Sequence, residues 1–323
     1  MKVYITPCDS VETPESLPFE YLCKEEFIKA GHVLVDVPAD ADVVIVQATA
    51  HVVGWHNHSL RGSNVIMLSW EPPVVYPVIS VYEHPEEFHS VFRFGPCDAG
   101  KNEFPITTDP IAYPYPAYGS GEDVIRESTT LRGRSVFFAG ITRSFRGCES
   151  FGRTDLYPVR SCLIRDLSPW DITLHTEGPN FGRDSRKNGL VPRWDRVKLD
   201  RCRESLADFH LCCENSRLDN YVSEKIHHGF QSDLVVLYLG NPDIHKYVPP
   251  EAFINLNEYY DEKRGRVSAA VVAGVIKSMT QREYDDIIHA AREWRRTARL
   301  QERFDEQALR LTQRIIERIE EVK

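Results

Sequence analysis

Short runs of consecutive apolar residues recur along the chain, with segments of helical period between them. Residues 2–6, 33–37, 42–47 and 64–70 are such runs, and 18–30 carries Phe19, Leu22, Phe27 and Ile28 at helical spacing. Unbroken apolar runs, unlike alternating ones, suit the strands of a parallel sheet covered on both faces. The N-terminal part therefore reads as repeated strand–helix–strand units.

Residues 76–118 are rich in proline and aromatic side chains and read as irregular structure around a short strand at 91–94. Residues 111–118, followed by Gly-Ser-Gly-Glu-Asp, have the composition of an interdomain linker. Strands are then expected over 135–140, 171–175, 209–213, 234–239 and 252–256, with helices over 158–167, 197–206 and from Tyr221 onward. Asp219 and Asn220 are candidate N-caps for that last helix. After Tyr260 the pattern is helical, first apolar over 267–279, then charged and amphipathic over 281–323. Phe304, Ala308, Leu311, Ile315, Ile319 and Val322 recur there at spacings of three and four. The stripe fits a homodimer seam or packing across the chain's own domains, and Arg318 interrupts the heptad that a seam would need. The domains expected are 1–125, 126–280 and a helical segment 281–323.

Composition narrows the class. A chain of 323 residues, 42% hydrophobic and 27% charged, is long enough for two globular domains. Its net charge of -9 counts against non-specific nucleic-acid binding. No run approaches the roughly eighteen apolar residues of a membrane span, and the N-terminus has no signal-peptide pattern, so a soluble, cytoplasmic protein is expected. The eight cysteines form no C-x-x-C pair, which favours free thiols over a zinc site.

The chemistry concentrates where the run 209–213 ends. Glu214, Asn215 and Ser216 leave that strand, and Tyr221, Ser223, Glu224 and Lys225 open the next helix. A polar turn between a strand's carboxyl end and a helix's amino end is where open α/β sheets hold phosphates. Glu224 has the acceptors for a sugar or ribose diol, and Lys225 gains in a first helical turn only if an anion is near. The same residues also suit a capped helix whose charged pair faces water. Arg160, near the start of the 158–167 helix, is placed to fork onto a diphosphate or to cover surface. Glu71 ends an N-terminal strand and is followed by Pro72 and Pro73, which stop both helix and ladder. His51, His56 and His58 lack an accompanying carboxylate or thiol. Asp40-Ala41-Asp42 begins a strand and reads as a turn rather than a metal site.

In order, the chain contains F-x-L-x-x-E-N-S at 209–216, Y-V-S-E-K at 221–225, L-V-V-L-Y-L-G at 234–240 and P-x-x-A-F-I-N at 249–255. This series resembles the donor-binding signature of the α1,3/4-fucosyltransferases, family ten of the glycosyltransferases. Those proteins usually read F-E-N-S, Y-T-E-K, G-x-V-P-hydrophobic-G and P-x-S-F-I. Weaker similarity extends to 135–167 and 69–77. Ser223 stands where threonine is usual, and 232–235 (Ser-Asp-Leu-Val) where Gly-x-Val-Pro is usual.

The resemblance implies a GT-B architecture, two Rossmann-like α/β domains facing across a cleft. It implies inverting transfer of L-fucose from GDP-fucose to a hydroxyl of an acceptor glycan, with no essential divalent metal. Donor-binding residues would be Arg160, Glu214, Asn215, Ser216, Tyr221, Ser223, Glu224 and Lys225, with Lys225 and Arg160 facing the phosphates. Glu71 would be the catalytic base and Asp109 the fallback. The alternatives are a related transferase using a xylosyl or rhamnosyl donor, left open by the unusual 232–235 segment, and a non-catalytic nucleotide-sugar binding protein.

Overall fold

A computed structural model describes residues 1–6, 22–48, 62–69, 85–95, 97–112, 125, 130–140, 154–177 and 194–322. Six parallel strands form a first sheet: β1 (Lys2–Ile5), β2 (Val33–Leu34), β3 (Val43–Ala48), β4 (Gly62–Ser69), β5 (Phe88–Arg93) and β6 (Glu103–Pro105). Their order is β2-β1-β3-β4-β5-β6, with Val3 opposite Val43 and Ile45 opposite Ile66. Of the 18–30 helix, α1 (Lys24–Lys29) is described, and Phe27 faces the core. Asp40-Ala41-Asp42 lies in a turn before β3, where Asp42 Oδ2 accepts from the Lys2 amide at 2.7 Å.

A second sheet repeats the plan with β7 (Val136–Ala139), β8 (Leu174–Glu177), β9 (Phe209–Cys213), β10 (Val235–Leu239) and β11 (Ile254–Asn255). Its order is β11-β10-β9-β7-β8, again all parallel. Every residue of β9 and β10 is buried. Leu211, Leu237 and Leu239 enter one apolar cluster with Leu163 and Ile276, while Cys212, Val236 and Tyr238 enter another with Ile226 and Trp294. That period-two division shows why the strands read as unbroken apolar runs: both faces are covered. In each sheet the strand order reverses once, between β1 and β3 and between β7 and β9. The carboxyl ends beside such a reversal are where open α/β sheets bind ligands.

The helices of the second half are α2 (Tyr157–Leu167), α3 (Trp194–Glu204), α4 (Glu224–Gln231), α5 (Ala269–Ser278), α6 (Gln281–Thr297) and α7 (Leu300–Glu320). The single amphipathic stretch expected over 281–323 is thus two helices. The break falls at Arg299, which takes a left-handed conformation at φ 49°. A reciprocal Thr280–Glu283 capping box starts α6, which covers the second sheet through Tyr284, Ile288 and Trp294. By contrast, α7 buries Leu311, Ile315 and Ile319 among Val3, Phe27, Ile45 and Phe92 of the first sheet. The stripe that suggested a dimer seam is therefore internal packing. Polar ties fix α7 there: Arg303 grips both Asp109 oxygens at 2.6 Å, and Gln307 Oε1 accepts from the Thr108 amide at 3.1 Å.

The two sheets meet at their carboxyl ends. Gly95, just beyond β5, donates its N–H to the Asp219 carbonyl at 3.1 Å in the turn after β9. Phe94 meets the edge of Tyr221 with ring centroids 5.0 Å apart. This is the facing pair of α/β units expected of a GT-B fold. Among the described residues no helix is long and apolar enough to cross a membrane.

Candidate functional site

The site grows from the end of β9. Glu214 continues the ladder, its N–H donating to the Leu239 carbonyl at 2.8 Å, and its side chain is fully buried. The carboxylate reaches forward to the start of α4. Oε1 accepts from the Ser223 amide at 2.8 Å, and Oε2 accepts from Ser223 Oγ at 2.6 Å and Lys225 Nζ at 3.3 Å. Gly240 ends β10 directly beside it. A Cβ there would lie 2.4 Å from Glu214 Cγ and 2.6 Å from the Tyr238 hydroxyl, so only glycine lets the carboxylate pass.

Ser223, not Asp219 or Asn220, is the N-cap of α4, and Glu224 and Lys225 are its first two residues. The helix starts later than its sequence suggests because burial of Tyr221 and Val222 draws the preceding chain into the core. Asn220 turns the chain at φ 59°. Lys225 Nζ accordingly sits 2.8 Å from Ser223 Oγ and 3.8 Å from Glu224 Oε1, its unfavourable place at the helix start offset by the two carboxylates.

Glu224 has a second partner, Lys198 of α3, whose ammonium donates to Oε1. Burial pushes the Glu224 carboxyl upward, but Lys198 and Lys225 outweigh it and hold the group well below its ordinary value. The histidines around this pair are neutral. Burial and then Lys198 depress His210 to about 3 and hold His228 well below its usual range. Burial likewise brings His227 down to about 4, although its ring bonds the Ile111 carbonyl at 2.8 Å.

Arg160 and Asn215 form the next layer. Arg160 is 1% exposed, donates from Nη2 to Asn215 Oδ1 at 2.6 Å and lies 4.6 Å from the centre of the Tyr157 ring. Its guanidinium forks into the protein rather than toward solvent. It also bonds the Cys213 thiol, which burial raises to about 11 against the pull of that charge. Ser216 is fully buried beside Asp155, and Tyr221, 4% exposed, has its ring packed against the first sheet rather than offered as a stacking surface. Of the sequence-derived set, then, Glu214, Ser223, Glu224 and Lys225 come together directly. Arg160 and Asn215 back them, and Ser216 and Tyr221 anchor the turn.

Glu71, with Trp70 and the two prolines after it, and His51, His56 and His58 lie outside the described residues. Asp109, the fallback base, has both oxygens engaged by Arg303. Lys198 was not marked by the sequence: it lies 26 residues before Glu224, in a helix crowded with other charges, and only the packing of α3 on α4 joins them. Among the described residues no group of three or more His, Cys, Asp or Glu side chains is arranged to hold a metal ion.

Comparison with known proteins bears on this same segment. The family model described as glycosyltransferase family 10 (fucosyltransferase) C-term matches residues 160–313. The matched segment contains β9, α4, β10 and every candidate donor-site residue named above. Curated relatives include 4-galactosyl-N-acetylglucosaminide 3-alpha-L-fucosyltransferase 9 of Cricetulus griseus and of Homo sapiens. Each is 29% identical over 90 residues, 27% of this chain and 22% of the relative, so the matched stretch spans about a fifth of those proteins. Solved structures with a similar chain path include an α1,3-fucosyltransferase with GDP (13% identity, TM-score 0.46) and one with GDP-fucose (15% identity, TM-score 0.47). Each alignment covers 89% of this chain and 81% of the other.

Proposed function

We propose that the protein is an inverting glycosyltransferase that moves L-fucose from GDP-fucose to a hydroxyl of an acceptor glycan. The observation that carries this reading is the buried carboxylate–ammonium group at the start of α4, set on the carboxyl end of β9 beside the strand-order reversal. Lys225 meets the diphosphate, assisted by the amino end of α4, as negative charge develops on the departing GDP. Arg160 adds positive potential from behind Asn215 and fixes that amide. Glu224 accepts from hydroxyls of the ribose or the transferred sugar. Glu214 stays behind them and holds Ser223 and Lys225 in place.

Residues 1–125 would bind the acceptor and supply the base, assigned to Glu71, because a neutral sugar hydroxyl is a poor nucleophile and the second sheet holds the leaving group. Residues 126–280 would bind the donor, with no divalent metal required. The departure at 232–235 gives little ground for a xylosyl or rhamnosyl donor. Ser232 caps the far end of α4 and Asp233, at φ 58°, is held by Arg292 at the amino end of β10. That is a strand's length, roughly 15 Å, from the carboxyl-end site.

Incubating the protein with labelled GDP-fucose and a panel of acceptor sugars tests the proposal. Acceptor-dependent label transfer with release of GDP is expected. Transfer from a different nucleotide sugar alone, or binding of GDP-fucose without turnover on any acceptor, would replace it with one of the two alternatives.

A further inference from the structure

Glu224 stands between two ammonium groups, and the donor-site reading above gives one of them, Lys225, to the diphosphate. A carboxylate this enclosed is not left alone at low cost, since burial favours its neutral, protonated form. Lys198 meets that requirement from a separate element. Its side chain is 8% exposed against 13% for Glu224, and it reaches from α3 to hydrogen-bond Oε1. Among the described residues nothing hydrogen-bonds Oε2 of Glu224.

Resting on that reading, we propose that Lys198 is a positioning residue of the donor site. It keeps Glu224 ionised and fixed through Oε1, so that Oε2 accepts from donor hydroxyls while Lys225 turns to the phosphates. The charges fit this division. Glu214 and Glu224 balance Lys198 and Lys225 before the donor arrives. When Lys225 leaves, Glu214 retains both the N–H and the hydroxyl of Ser223, and Glu224 retains Lys198. His210 and His228 share this neighbourhood, from β9 and α4. Both are neutral, so neither replaces the ammonium near neutral pH.

The experiment is calorimetric titration of GDP, with donor KM and kcat, on wild type, Lys198→Met, Lys198→Arg, Glu224→Gln and the Lys198→Met/Glu224→Gln double variant. A pH of about 8 keeps the imidazoles, relieved of the Lys198 charge, from taking a proton. Lys198→Met is expected to weaken GDP binding about tenfold or more, as for loss of a charged hydrogen bond, and to raise donor KM more than it lowers kcat. Lys198→Arg should restore most of the affinity. The double variant, which strands no charge and so tests the pair even if Lys198→Met folds poorly, should bind GDP about as well as Glu224→Gln alone. Unchanged GDP affinity in Lys198→Met overturns the proposal, as does a double variant whose loss is the product of the two single losses, while the donor-site reading stands. Failure of the wild-type protein to bind GDP overturns that reading and this inference with it.

Discussion

Substituting Gly240 by alanine perturbs the site without touching any group that would contact a ligand. The added Cβ would lie 2.4 Å from Glu214 Cγ, 2.6 Å from the Tyr238 hydroxyl and 2.8 Å from Tyr238 Cζ. Neither neighbour has room to yield, because both side chains are fully buried and the Tyr238 hydroxyl accepts from the Asn241 amide at 3.0 Å. Overpacking of this kind costs about 1–3 kcal/mol, against a gain of about 0.4–1 kcal/mol for removing a glycine from the unfolded chain. Gly240→Ala should therefore be destabilised by about 1–2 kcal/mol and lower Tm by a few degrees in a chain of this size. Glu214 is the residue displaced, and it holds Ser223 and Lys225, so GDP affinity should fall with stability. Gly133→Ala is the control, since its Cβ would meet nothing within 4 Å. Thermal unfolding and GDP titration on both variants check the argument. A Gly240→Ala protein with the Tm and GDP affinity of wild type would refute it.

Other outcomes follow from the same geometry. Glu224→Gln should weaken donor binding by roughly ten- to a hundredfold, the worth of a charge-assisted hydrogen bond of about 1.5–3 kcal/mol, and wild-type affinity in that variant would contradict its role. Glu71→Gln should lower turnover by about a hundred- to ten-thousandfold with GDP affinity unchanged, and near-normal turnover at saturating acceptor would remove Glu71 as the base. Removing residues 300–323 takes Leu311, Ile315 and Ile319 out of the core of the first sheet. At about 1.5–3 kcal/mol for each side chain, the loss is comparable with the whole stability of a domain, so a truncated protein of unchanged Tm would contradict the packing of α7 on the first sheet. His210 and His227 are held neutral, at about 3 and about 4 against an ordinary 6.5. The unfolded chain therefore binds more protons below pH 6.5, and Tm should fall steadily as pH drops from about 6.5 to 4.5; a flat profile would count against their burial.

β9 and β10 were legible because both faces of each are apolar: β9 falls on 209–213 as its residues indicate, and β10 begins one residue inside the expected run. By contrast β8, with a polar Leu-His-Thr-Glu sequence, starts three residues later than expected, and β6, Glu-Phe-Pro, carries no such run. The start of α4 was not legible either. Asp219 and Asn220 are good capping types, but Phe94 and Gly95 of the other sheet hold the turn in place, and no local pattern announces a partner so distant in sequence. For the same reason the break at Arg299 was hidden within a continuous amphipathic pattern, since α6 serves one sheet and α7 the other. The motif residues marked the candidate donor site, yet which of them touch one another came only with the fold. Glu214 is as fixed in the motif as Glu224, but it is fully buried and acts on Ser223 and Lys225. Arg160 points to Asn215. Lys198 had no motif to mark it.

The measurement closest to the central claim is the initial rate of label transfer from GDP-fucose to a saturating acceptor, by wild type and Lys225→Ala side by side. Acceptor-dependent transfer by the wild type, reduced at least tenfold in a Lys225→Ala protein that still unfolds cooperatively near the wild-type Tm, is the predicted result. Equal rates in the two proteins would show that the group at the start of α4 is not where the donor's phosphates are held.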